Sequence, residues 1–156
     1  MNDVDSCFAL ACKATVEGMQ ENGGGPFGAT LVRNGEVVCT VGNTVLKETD
    51  ISGHAEMVAV REACKKLNTL DLSDCTMYAT CEPCPMCSAV MIWAGIKTCY
   101  YASTHMDAAE HGFSDQHLRD FLDGTDTAVL NMIHIDEGRE DCAAIWEEFR
   151  RLQNIK

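Results

Sequence analysis

Apolar positions recur with a helical period over residues 4–21, where Val4, Phe8, Ala11, Cys12, Thr15 and Met19 share one side. Gly23-Gly24-Gly25-Pro26 breaks that pattern, and reads either as a solvated linker or as a place of close backbone approach. Strand-like runs then cover residues 27–33 and 36–41. The Asn34-Gly35 pair between them predicts a hairpin with a two-residue turn. Gly42-Asn43 closes the second strand, and a loop spans 44–53. His54 opens a predicted helix to Leu67, with Met57, Val60, Cys64 and Leu67 on one side. Its last turn holds Lys65 and Lys66, where cations suit the helix dipole. A short buried strand is expected at 75–80. Pro83-Cys84-Pro85 then turns into a helix over 85–94, with proline at the first helical position and Gly95 as the stop. A strand at 97–102 completes a strand–helix–strand unit that should be parallel and right-handed. Residues 105–123 read as helical or irregular and acidic. A last strand is expected at 127–135. A final amphipathic helix at 140–152 should turn Cys142, Ile145, Trp146 and Phe149 inward. Strands and helices alternate, which predicts an α/β protein with a sheet covered on both faces.

A chain of 156 residues with 46% hydrophobic content suits one globular domain, 1–156. The start, Met1 to Asp5, is acidic, and no apolar run approaches the ~18 residues of a membrane span. A cytoplasmic location with no membrane partner is the expectation. Ten cysteines in such a setting point to thiols, metal ligands or catalysis rather than disulfides. Cys7, Cys12, Cys39, Cys64, Cys75, Cys99 and Cys142 fall in apolar patterns and read as small buried hydrophobes. Twelve basic against twenty-four acidic residues give a formal net charge of −12. Holding phosphates takes Lys and Arg, so nucleic acid is a poor partner and a neutral base or nucleoside a better one.

Two short stretches carry chemistry. His54-Ala55-Glu56 offers an imidazole and a carboxylate, and Pro83-Cys84-Pro85-Met86-Cys87 offers two thiols one helical turn apart. A helix N-terminus favours the thiolate that a metal requires. A catalytic zinc keeps three protein ligands and one position for water, and His54, Cys84 and Cys87 supply three. One Zn2+ per chain is therefore expected. Glu56 is left over to move protons to and from the metal's water. Other readings stay open at this point. The two cysteines could be a redox pair, or Cys81 could complete a closed structural zinc site, or the three cysteines could belong to an iron–sulfur cluster. Cys81, at the strand end, reads as a buried non-ligand.

His-x-Glu followed by Pro-Cys-x-x-Cys is the pattern of zinc-dependent nucleobase deaminases. The chain resembles the cytidine-deaminase-like superfamily, and within it the small bacterial guanine deaminases. Gly24-Gly25-Pro26-Phe27-Gly28-Ala29, His54-Ala55-Glu56, Cys81-Glu82-Pro83-Cys84-Pro85-Met86-Cys87, Asp107-Ala108-Ala109-Glu110 and Gly112-Phe113-Ser114-Asp115 carry the resemblance, over about residues 5–122. It implies a three-layer α/β/α fold around a central mixed five-stranded sheet, and a homodimer. It implies Glu56 and Asp115 as catalytic acids, and Asn43, Phe27, Ala55 and Trp93 around the substrate ring. The implied reaction is hydrolysis of guanine to xanthine and ammonia. Guanosine, cytosine, a pterin or a triazine are alternatives. A tRNA adenosine deaminase shares His54 to Met57, but the acidic balance opposes it. The rival outside enzymes is a structural-zinc binding module.

The chain departs from that family at its end. Residues 123–135 match poorly, and Leu152-Gln153-Asn154-Ile155-Lys156 lacks the aromatic residue that closes the tail in those proteins. The helix and tail at 136–156 are the part that an exchanged dimer would share. His105, His111, His117 and His134 read as surface or packing residues.

Overall fold

The computed structural model describes residues 3–154. The ends of the chain, including Ile155 and Lys156 of the tail, lie outside the described residues. In order, the elements are α1 (Val4–Asn22), β1 (Gly25–Arg33), β2 (Glu36–Asn43), α2 (Val45–Glu48), α3 (Ala55–Leu67) and β3 (Cys75–Cys81). They continue with α4 (Pro85–Ala94), β4 (Thr98–Ser103), α5 (His105–Glu110), α6 (Gln116–Asp123) and α7 (Arg139–Asn154).

The four strands form one sheet in the order β2-β1-β3-β4. β1 pairs antiparallel with β2 and β3, and β3 pairs parallel with β4, so the sheet is mixed. The expected hairpin is present. Asn34 (φ 52°) and Gly35 (φ 79°) both adopt the positive φ that a two-residue turn of this kind requires.

Alternation along β1 sorts the two faces. Ala29 and Leu31 pack with Ala55, Ala59 and Ala63 of α3 and Met91 of α4. Val32 packs with Tyr78 and Cys7 of α1 on the other face. Helices therefore cover both sides of the sheet, as the element pattern predicted. Gly28 is required by the α1 face, because a Cβ there would lie 2.0 Å from Thr15 Oγ1 and 2.6 Å from the Ala11 carbonyl.

Several expectations are corrected. The sheet has four strands among the described residues, not five, and 127–135 contains no strand. Its apolar residues Val129, Leu130, Met132, Ile133 and Ile135 look strand-like in sequence. A strand needs a neighbouring backbone to pair with, and this segment has no pairing partner among the described residues. Ile145, Trp146 and Phe149 of α7 are 66%, 72% and 60% exposed rather than inward. Cys12 and Cys142 are exposed, and Cys64 and Cys99 only half-buried. The loop at 44–53 holds the short helix α2, which its polar sequence hid.

The chain divides into two compact units, Met1–Arg119 and Asp120–Lys156. The first contains the sheet and all candidate site residues. The second contains α7, laced by Arg150–Glu147 and Arg151–Glu148 ion pairs one turn apart. No described helix is long and apolar enough to cross a membrane.

Candidate active site

The register places one end of each strand together. Gly25 at the start of β1 pairs with Asn43 at the end of β2, Ala29 pairs with Ala79, and Cys81 at the end of β3 pairs with Ser103 at the end of β4. In α/β sheets the crevice beyond the carboxyl ends of strands is where ligands bind.

His54 and Cys84 are both N-caps of helices that begin at this end. Their backbones are extended, at φ −61°, ψ 149° and φ −69°, ψ 169°. Each carbonyl accepts the first intrahelical hydrogen bond, from Val58 and Ser88, both at 2.9 Å. Their side chains cap nothing, which frees them for other partners. The 44–53 loop is closed by a hydrogen bond from the Thr44 amide to the Gly53 carbonyl at 2.8 Å, and a Cβ on Gly53 would lie 2.7 Å from Thr44 Oγ1. That closure aims His54 at the start of α3. Pro85 fixes the first turn of α4, and Cys87 follows one turn after Cys84.

His54 Nδ1 lies 3.5 Å from Cys84 Sγ and 3.4 Å from Cys87 Sγ. The three ligand atoms lie within 4.8 Å of one another. A tetrahedral zinc, with Zn–N of about 2.0–2.1 Å and Zn–S of about 2.3 Å, sets the N···S edge at about 3.5 Å. The donor set and its spacing therefore fit zinc without rearrangement. Cys81 stays out of this group; its Sγ faces the Thr104 carbonyl at 3.6 Å. Among the described residues no fourth ligand closes the site.

The charges in the site fit a metal. Cys84 is pushed down to about 4, first by the Cys87 thiol donating to it and then by His54. Cys87 is pushed up, because it keeps the proton it donates to Cys84. His54 is pushed up, chiefly by its hydrogen bond to Cys84. Glu56, in the first turn of α3, is 7% exposed. Burial pushes its carboxyl up, against a hydrogen bond from Cys87 that pulls it down. A buried carboxyl beside the ligands with a raised pKa is suited to taking and returning protons.

Asn43 ends β2, and its Oδ1 accepts from the Val45 amide at 2.9 Å. Gly25, the first residue of β1, serves close approach: a Cβ there would sit 2.9 Å from Asn43 Oδ1. Phe27 is half-buried and meets Phe113 edge to face, with centroids 5.2 Å apart at 89°. Ala55 is fully buried between His54 and Glu56. Trp93 is not brought to the ligands. It is 89% exposed near the far end of α4, roughly 9 Å along the helix from Cys87.

Asp115 is not the solvated surface acid that its residue type alone would imply. Its side chain is 16% exposed and faces Arg119. The sequence motifs include Glu82 and Phe113 without giving them a role, and sequence reasoning passed over Arg119. The i, i+4 spacing of Asp115 and Arg119 was the available signal. His105, read as a surface or packing residue, packs against Glu82, its Nδ1 2.8 Å from Oε1.

Residues 1–103 match the family model of the cytidine and deoxycytidylate deaminase zinc-binding region. A guanine deaminase of Bacillus subtilis is 44% identical over 114 residues, covering 73% of this chain and 70% of that protein. A tRNA-specific adenosine deaminase of Aquifex aeolicus is 40% identical over 83 residues, covering 53% of this chain and 55% of that protein. The X-ray structure of guanine deaminase from Bacillus subtilis superposes with a TM-score of 0.83 at 36% identity, covering 95% of each chain.

Proposed function

The chain belongs to the cytidine and deoxycytidylate deaminase zinc-binding family, and from that premise we propose that it hydrolyses guanine to xanthine and ammonia. The observation that carries the chemistry is the open triad of His54, Cys84 and Cys87 with Glu56 buried beside it. The choice of guanine is supported by the sequence resemblance to guanine deaminase, which covers 73% of this chain against 53% for the tRNA-specific relative, and by the superposition of a guanine deaminase structure over 95% of the chain. The net charge of −12 points the same way, since a tRNA substrate needs basic residues.

His54, Cys84 and Cys87 would hold the zinc, which when bound lowers the pKa of water towards ~7. Glu56 accepts a proton from the attacking water and passes it to a ring nitrogen. It then takes the second proton from the newly attached hydroxyl and delivers it to the departing amino group, so that water and guanine yield xanthine and ammonia. Asn43 and Asp115 orient the ring by hydrogen bonds, and Phe27 and Ala55 line it. A reducing cytoplasm suits a site that must keep both thiols unoxidised.

The functional particle in this reading is a homodimer that exchanges the 136–156 segment. Support comes from the exposed apolar run of Ile145, Trp146, Phe149 and Leu152 on α7, more than a lone chain ordinarily shows to water.

The direct test is ammonia release from guanine, guanosine, adenine, cytosine and a tRNA anticodon hairpin by the zinc-loaded protein. Turnover confined to guanine supports the proposal. Turnover on the hairpin, falling steeply with salt, would establish the tRNA reading instead.

A further inference from the structure

We infer that Arg119 is a positioning residue for the deamination, acting through Asp115, and that Glu82 and His105 brace it. The inference rests on the deaminase reading above and adds a residue to it. Asp115 caps the start of α6, whose Leu118 and Arg119 amides donate to its carbonyl at 3.0 and 3.2 Å. One turn on, the Arg119 guanidinium folds back over it. Nε donates to Asp115 Oδ1 at 2.9 Å, and Nη2, which makes no hydrogen bond, stands 2.9 Å from Oδ2 as an ion pair. One carboxylate oxygen is thus held by a charge-assisted hydrogen bond and the other by charge alone, so one guanidinium restrains both.

The fork is itself held. Nη2 is shielded from water and also faces Glu82 Oε2 at 3.7 Å. Glu82 Oε1 accepts from the His105 amide at 3.0 Å and lies 2.8 Å from His105 Nδ1. The Glu82 amide donates to the Ser103 carbonyl at 2.8 Å. The line from Asp115 through Arg119 and Glu82 to His105 therefore ties α6 to the turn that carries Cys84 and to the end of β4. Two residues before Asp115, Phe113 meets Phe27 of β1 edge to face.

Exposure separates this pair from the other ion pairs on α-helical surfaces. Arg119 and Asp115 side chains are 29% and 16% exposed, against 58% and 53% for Arg151 and Glu148. Solvated pairs of the latter kind contribute little. A sheltered pair that shares a second acid two residues from a metal ligand has a different consequence when broken. Without the guanidinium, Asp115 loses its hydrogen-bonded cation and is free to swing, while Glu82 keeps only its His105 contacts. A misplacement of about 1 Å in such a group can cost about 100-fold in rate.

The experiment uses zinc-loaded full-length protein with R119A, R119K, D115N and the R119A/D115N double variant. Steady-state kcat and KM on guanine, zinc content and xanthine affinity by calorimetry are read for each. The expected result for R119A is a loss in kcat/KM of at least about tenfold, mainly in kcat, with zinc retained. Millimolar guanidinium should restore part of that loss in R119A and none in D115N. The double variant should be no slower than D115N alone, because Arg119 acts through Asp115. R119A within about twofold of wild type, or losses that multiply in the double variant, overturn the inference. Should R119A not accumulate folded, R119K decides, since it keeps charge and helix but not the fork. An R119K rate within about twofold of wild type overturns the inference as well. A wild-type chain that releases no ammonia from guanine overturns the deaminase reading and this inference together. An active wild type with unimpaired R119A overturns this inference alone.

Discussion

His54 Nδ1 and Cys87 Sγ stand 3.4 Å apart although 33 residues of chain separate them. Their approach sets how the metal is taken up. Cys84, held down to about 4, is already a thiolate across the neutral range. Cys87 is pushed up and keeps a proton that a bound zinc must displace, and His54 is pushed up beside it. Zinc uptake therefore releases at least one proton, and affinity rises with pH from mildly acid to neutral conditions. The expected slope is roughly tenfold per pH unit, read by competition with a chromophoric chelator at several pH values. A flat profile would mean that the site is deprotonated before zinc arrives.

Glu56→Gln keeps the shape of the side chain and removes its basicity. Turnover should fall by about 10²–10⁴-fold, the usual weight of a positioned acid–base group. Zinc stoichiometry, measured by elemental analysis, should stay at the wild-type value, because Glu56 is not among the ligand cluster. Retained turnover would show that Glu56 does not carry the protons.

Gly28→Ala inserts a methyl group where Thr15 Oγ1 and the Ala11 carbonyl already stand within 2.0 and 2.6 Å. Thr15 donates to Ala11 at 2.7 Å and has no room to retreat without losing that bond. Overpacking of this sort costs about 1–3 kcal/mol. Urea denaturation should show a lower midpoint with an unchanged slope.

Trp146→Glu places a charge in the exposed apolar run of α7. If that run is where two copies meet, light scattering should record a dimer for the wild type and a monomer for the variant. A wild type that scatters as a monomer argues against the exchanged tail.

Much of the site was readable in the sequence, because its parts are local signals. His54 and Cys84 fall at helix starts that punctuation alone locates, a loop before one and Pro83 and Pro85 around the other. The Asn34-Gly35 turn follows from backbone sterics. What could not be read depends on partners that are distant or solvent-facing. The period of α7 reveals an apolar stripe but not whether anything covers it. Residues 127–135 have strand composition, and composition does not supply a neighbour to pair with. Trp93 has an aromatic side chain near the metal helix in sequence, yet the rise of α4 carries it away from the ligands. Arg119 was overlooked because an acid and a base one turn apart look the same on a wet surface as in a sheltered contact.

The β1–β2 hairpin has a practical use. Its Asn34-Gly35 tip lies at the opposite end of the strands from Phe27 and Asn43, roughly 20 Å away along β1. A fluorescent reporter or affinity handle grafted into that tip would travel with the enzyme while leaving the mouth of the crevice clear. Immobilising the protein by that point would present every catalytic opening outward to the medium.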